Sequence, residues 1–154
     1  MTSIVHYGTV PALFVYLNTS VTNKTGNGTG YTILFDTVAY GTGYNSLTGA
    51  YTVPVAGTYL IATSILLTNI TSGANGNLCT IATTGFSMRL SEMACTAAKD
   101  ASLQFATNGM IIRNCAAGDT ISIGAQLNNG SSPVVGVAGG TAPYNTWMYV
   151  KYLG

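Results

Sequence analysis

Charge is what this sequence has least of. Of its 154 residues, five are Lys or Arg and four are Asp or Glu, which is 6% of the chain and a formal net charge of +1. Soluble domains carry about 25%. Area scaling gives a folded monomer of this mass roughly 7,400 Å² of accessible surface, or about 800 Å² for each charge. That density is too low for an ordinary isolated monomer. Five scattered cations on a near-neutral chain also do not make a nucleic-acid binder, because phosphate binding is carried by clustered Lys and Arg.

Histidine is nearly absent. His6 is the only one, and a Ser-His-Asp arrangement needs a His held in place as the proton carrier. Six residues from the start, His6 reads as solvated. The four carboxylates are Asp36, Glu92, Asp100 and Asp119. Asp119 sits in Ala117-Gly118-Asp119-Thr120, a turn entering a strand, where Asp serves as a turn hydrogen-bond acceptor. Glu92 and Asp100 lie among Arg89 and Lys99 and read as a solvated face. No catalytic residue is assigned, and no enzyme activity is expected.

Cysteine is sparse too. Cys79, Cys95 and Cys115 are 16 and 20 residues apart, with no Cys-x-x-Cys spacing, so neither a zinc site nor a dense disulfide framework is indicated. Folding is expected to require no disulfide, no metal and no cofactor. Gly41-Thr42-Gly43 opens like a phosphate-binding loop, but the next Gly is Gly49 and no helix follows to supply an anion site.

Long apolar runs are missing as well. Residues 37–88 hold no charge, yet the most apolar stretch, 59–67, is nine residues long, bounded by Pro54 and Gly57 before and Thr68 and Asn69 after. A spanning helix needs about 20, so no membrane segment is expected. Residues 1–7 have no basic region and no clean apolar core, and no secretory signal is read there.

What the chain has instead is uncharged polarity: 23 Thr, 12 Asn, 11 Ser and 19 Gly. These residues favour strands and turns over helix interiors. Strands are predicted at 11–18, 31–39, 51–55, 59–68, 79–90 (one or two), 103–114 with a possible bend at Asn108-Gly109, 120–127, 131–140 and 145–153. Loops are predicted at 19–30, 41–49 and 71–77, a turn at 128–130, and the one plausible helical turn at 91–100. This reads as all-β, a jelly-roll sandwich of about ten antiparallel strands, with one domain over 1–154 and residues 1–10 as an N-terminal arm. Five Asn-x-Ser/Thr sequons, at Asn18, Asn23, Asn27, Asn69 and Asn129, are no more than the composition produces by chance.

Residues 33–67 read ILFDTVAYGTGYNSLTGAYTVPVAGTYLIATSILL. Tyr44, six residues, Tyr51, five residues, Gly57, one residue and Tyr59 resemble the signature of complement q-type globular heads, members of the tumour-necrosis-factor-like jelly rolls. The run 47–57 is similar to that family's turn and following strand. More loosely, residues 11–14 resemble its first strand, Gly118-Asp119-Thr120-Ile121 its Gly-Asp step, and 147–153 its last core strand, for about 130 residues in all. Ile33, Ala39, Tyr51 and Ile61 depart from the pattern, and nothing matches the carboxylate clusters that bind calcium in some members.

In residues 59–68 both alternating faces are largely apolar: Tyr59, Ile61, Ile65 and Leu67 on one, Leu60, Ala62 and Leu66 on the other. A sandwich buries one face of each sheet, so such a strand needs a second partner. The resemblance implies that this partner is a neighbouring subunit in a homotrimer. Tyr59, Ile61 and Ile65, with Trp147 and Tyr149 of the last strand, are the expected trimer interface.

Three functions fit unequally. An enzyme lacks its residues. A secreted or spore-surface binding module of complement-head type, recognising glycans or proteins, ordinarily carries a signal and often a stalk. A structural protein of a virus particle needs neither. The expectation is therefore a non-enzymatic trimer on the virion surface, such as a phage capsid decoration (cement) protein or spike head. The expected partners are the major capsid protein and a host-surface glycan or protein, with neither nucleic acid nor membrane among them.

Overall fold

The computed structural model describes residues 10–70, 75–94, 99–128, 132–141 and 143–154, without the side chains of 75–79 and 92–94. Among the described residues there are thirteen strands and no helix. They form two sheets. The first contains β1 (Ala12–Tyr16), β2 (Val21–Thr25), β4 (Thr37–Tyr40), β7 (Gly57–Thr68), β10 (Phe105–Cys115), β12 (Val135–Val137) and β13 (Trp147–Tyr152). The second contains β3 (Asn27–Thr32), β5 (Tyr44–Asn45), β6 (Ala50–Thr52), β8 (Asn75–Thr83), β9 (Phe86–Ala94) and β11 (Thr120–Asn128).

The first sheet is ordered β2-β12-β7-β13-β1-β4, with β10 on the other side of β7. The second runs β5-β6-β11-β8-β9, with β3 also on β11. All strand pairs are antiparallel. From β6 onward the chain crosses between sheets four times before β12 and β13 finish the first one, which is jelly-roll winding.

β7 organises the first sheet. It pairs with β10 without interruption from Gly57↔Cys115 to Leu67↔Phe105. On its other side it pairs with β13 from Tyr59↔Tyr152 to Ser64↔Trp147, and then with β12. The register passes straight through Asn108 and Gly109 without a bulge.

Alternation gives β1, β7, β11 and β13 a buried row. Leu13 and Val15, then Tyr59, Ile61, Ile65 and Leu67, then Met148 and Val150 fill the inner face of the first sheet. Ile81, Ile121, Ile123 and Leu127 meet them from the second, with Ile33, Phe35, Tyr51 and Val53 closing the core.

The Tyr44-to-Tyr59 block earns its spacing in this packing. Tyr44 pairs with Tyr51 across β5 and β6, and the Tyr44 hydroxyl accepts the Phe35 N–H at 2.8 Å. The Tyr59 hydroxyl donates to the Val55 carbonyl at 2.7 Å. Gly49 closes the turn at φ 72°, where a Cβ would stand 2.8 Å from the Ile33 carbonyl oxygen. At Gly57 a Cβ would run into the Tyr152 ring, which sits edge-on to Tyr59 at 5.3 Å.

Several expectations are corrected. The stretch 19–30 is not a loop: Val21–Thr25 and Asn27–Thr32 are strands, because β12 and β11 offer them ladder partners. The predicted strand at 31–39 breaks between β3 and β4 as the chain changes sheets. Within 91–100, residues 91–94 belong to β9, paired with β8, and are not helical. Residues 95–98, 71–74 of the predicted loop, 129–131 of the predicted turn, and 1–9 of the N-terminal arm, His6 included, lie outside the described residues. Cys115 is free and buried; Cys95 also lies outside the described residues.

Burial raises the phenols of Tyr44 and Tyr51 to about 12, from an ordinary 10.0. The folded chain therefore keeps protons that the unfolded chain releases between about 10 and 12, and stability falls as pH rises through that window. Thermal melting in steps above pH 10 is expected to show a progressive loss, and Tyr44→Phe is expected to reduce that slope.

Candidate functional site

The outer face of the first sheet is the most distinctive surface. Its rows follow from the register. Met110 of β10, Ala62 of β7, Tyr149 of β13, Phe14 of β1 and Tyr40 of β4 lie side by side across five strands. The next row is Asn108, Ser64, Trp147 and Tyr16; on the other side lie Ile112, Leu60, Lys151 and Ala12. Lys151 is the single charged side chain in these three rows.

Aromatic rings cluster on one half of this face. Phe14 stacks on Tyr40 at 5.9 Å, meets Tyr144 edge-on at 5.4 Å, and lies 6.0 Å from Trp147. Tyr16 lies 4.7 Å from Tyr144. The other half is aliphatic, with Met110 63% and Ile112 64% exposed; Tyr40 and Tyr144 are nearly half exposed. A soluble chain rarely leaves a contiguous apolar patch of this kind uncovered unless something binds it.

This geometry divides the expected interface residues. Trp147 and Tyr149 are on the open face and half-buried. Tyr59, Ile61 and Ile65 are not available for contact: each is fully buried between the two sheets of its own chain. On β7 the outward row is the even-numbered one, Leu60, Ala62, Ser64 and Leu66. Phe14, Tyr16, Tyr40, Tyr144, Met110 and Ile112 were not foreseen. For Phe14 and Tyr16 a signal existed in the alternation of residues 12–16, which sets them opposite Leu13 and Val15.

The three described carboxylates accept backbone N–H groups. Asp36 accepts the N–H groups of Asn18 at 2.6 Å and Thr19 at 2.9 Å, and the Thr37 hydroxyl at 3.1 Å. Asp100 accepts the N–H of Ser102 at 2.9 Å and of Gln104 at 2.8 Å. Asp119 accepts the Ala116 N–H at 2.8 Å, holding the turn between β10 and β11 as its sequence context predicts. The Glu92 side chain lies outside the description. Among the described residues no three of His, Cys, Asp and Glu gather as a metal site would require, and no helix is long and apolar enough to cross a membrane.

A cleft of about 550 Å³ opens at one end of the sandwich, between Val10, Pro11, Tyr40, Thr42, Pro54 and Val55. Among the described residues, no ionisable group other than tyrosine lines it.

No protein-family model matches this chain, and no curated protein matches it. Solved structures do. The globular domain of zebrafish complement 1qA superposes with a TM-score of 0.62 over 94% of this chain and 98% of that domain, at 14% identity. Murine APRIL at pH 5.0 superposes at 0.58 over 94% and 100%, with 12% identity. Murine APRIL at pH 8.0 also gives 0.58, over 92% and 98%, at 13%. The chain therefore has the complement-head and tumour-necrosis-factor-like jelly-roll fold. At such identities the likeness is one of architecture.

Burial works to raise the Asp36 carboxyl, but the bonds from Asn18, Thr19 and Thr37 together outweigh it and hold the group below its ordinary 3.8. A lowered carboxyl stabilises the fold above the unfolded value and loses that contribution as pH falls through the folded one. Melting is therefore expected to be flat down to about pH 4 and to decline below it. Asp36→Asn is expected to remove part of that acid step and to lower stability at neutral pH.

Proposed function

We propose that this chain is a non-enzymatic head that assembles as a homotrimer through the open face of the first sheet, and that it serves as a structural protein on the outside of a virus particle. The observation that carries the assembly is the row from Met110 through Ala62, Tyr149 and Phe14 to Tyr40, continuous across five strands and left open by the described residues of the single chain. Three as the subunit number is what the resemblance to complement-head and tumour-necrosis-factor-like domains implies. A head-to-tail contact that closes into a ring satisfies every copy with one interface.

The virion role is the finer part of the reading: a capsid decoration protein or spike head seated on the major capsid protein. The scarcity of charge supports it. With nine charged residues, contacts to a shell must rest on neutral polar and aromatic groups, which salt does not screen. A trimer presents each contact three times, so weak single contacts add up through effective concentration.

Light scattering on the purified protein is expected to return three times the 15.9 kDa chain mass. Met110→Glu places a charge on the open face and is expected to yield monomers that still melt cooperatively. Leu47→Glu, at an 86% exposed turn position away from that face, leaves the assembly intact. A stable wild-type monomer at micromolar concentration defeats the trimer.

For the particle role, protein is mixed with shells lacking it and sedimented at low salt and at about 0.5 M salt, where screening is nearly complete within a few Å. Co-sedimentation at both is expected. Binding lost at high salt contradicts the neutral contact. A trimer that binds no shell at any salt overturns the virion role and favours a secreted or spore-surface binding module.

A further inference from the structure

The sequence holds four Asn-Gly pairs, beginning at Asn27, Asn75, Asn108 and Asn129. The first stands apart in the fold. Asn27 is exposed at the start of β3, ahead of Gly30 and Tyr31, the residues of that strand that pair with β11, and its side-chain oxygen accepts the Thr29 N–H at 3.1 Å. That bond, from Asn to the residue two positions on, folds the side chain back over its own following peptide. It also polarises the Asn27 amide carbonyl, making Cγ the more electrophilic. Gly28 has φ 85°, and a Cβ there would meet nothing within 4 Å. The strand start is held from below: the Thr25 hydroxyl donates to the Thr29 carbonyl at 2.6 Å and accepts the Leu127 N–H at 3.0 Å.

Two of the others are locked. Asn108 and Gly109 pair with Ser64 and Thr63 inside the unbroken β7–β10 register, and the Leu90 side chain packs where a Cβ of Gly109 would be. Asn75 and Gly76 pair with Ala94 and Met93. Attack by a glycine nitrogen on the preceding side chain requires the backbone to leave its ladder, which costs local unfolding free energy. Asn129 and Gly130 lie outside the described residues.

We propose that the bond joining Asn27 to Gly28 is a self-modification site. The Gly28 nitrogen attacks Asn27 Cγ; the Cγ–Nδ2 bond breaks, and the Gly28 amide proton leaves with the departing ammonia, giving a five-membered succinimide. Water then opens the ring at one of its two carbonyls, forming aspartate or isoaspartate. No electrons are transferred and no co-reactant other than water is used. The product carries one new carboxylate on a chain of formal charge +1. It ends the Asn-x-Thr sequence at the start of β3, and the isoaspartate form lengthens the backbone there by one methylene. Age is thereby written into the exposed start of β3 as charge, on a protein with little other charge to mask it.

The test is peptide mapping by mass spectrometry over a time course in mildly alkaline buffer, once with the native protein and once in concentrated urea. In the native protein Asn27 is expected to convert at least about tenfold faster than Asn75 and Asn108, which the ladder protects. In urea that ratio is expected to collapse to about one, because all three pairs are then equally free. Gly28→Ala is expected to slow the native reaction at Asn27, with Asn27→Gln as the unreactive control. An intact native Asn27 over a period in which the urea sample converts overturns the proposal. So does a native ratio no different from the unfolded one.

Discussion

A two-sheet sandwich can bury only one face of each sheet, and the sheet built on β7 is apolar on both. The odd-numbered residues of β7 fill the core, and the even-numbered ones stand in rows with Phe14, Tyr149, Trp147, Met110 and Ile112. Everything distinctive about the surface follows from this imbalance. The inner row needs the second sheet, and the outer row is left open for contact. β7 can hold both because its ladder is filled on each side, by β10 along one edge and by β13 and β12 along the other.

The same economy governs the polar groups. With so few ionisable side chains, the described carboxylates go to backbone N–H groups that the strands leave unpaired: Asp36 at residues 18 and 19, Asp100 at 102 and 104, Asp119 at 116. Asp36 is drawn by these donors toward its charged form, the opposite of what a general acid requires. Uncharged residues take over elsewhere. The Thr63 hydroxyl donates to the Trp147 carbonyl at 2.7 Å, and the Thr146 hydroxyl accepts the Leu66 N–H at 3.1 Å. Asn69 donates to the Val134 carbonyl at 2.8 Å. Polarity in this chain mostly ties strands to loops.

The family resemblance and the architecture meet in the Tyr44-to-Tyr59 block. Its spacing is a packing requirement: two tyrosines opposite each other across β5 and β6, a glycine where the Tyr152 ring passes, and a tyrosine whose hydroxyl reaches back to Val55. Such a block reports a fold, since it arranges core residues. It carries no information about a ligand, which belongs to loops and faces that differ freely between chains of one fold.

The sequence by itself determined the all-β character, the jelly-roll class and the turn around Asp119, because these depend on local alternation, composition and turn chemistry. It located β7, β10, β11 and β13 within a few residues. It left open which face of β7 looks inward, and there Tyr59, Ile61 and Ile65 were assigned to a contact they cannot reach. Period-2 alternation separates two faces without labelling them, and when both are apolar the local pattern is symmetric. Only the tertiary structure broke that symmetry, by placing the second sheet over the odd-numbered row. It likewise made strands of residues 21–25 and 27–32, whose polar sequence has no strand pattern of its own, because β12 and β11 presented unpaired edges beside them. Long-range hydrogen bonding decided what local propensity could not.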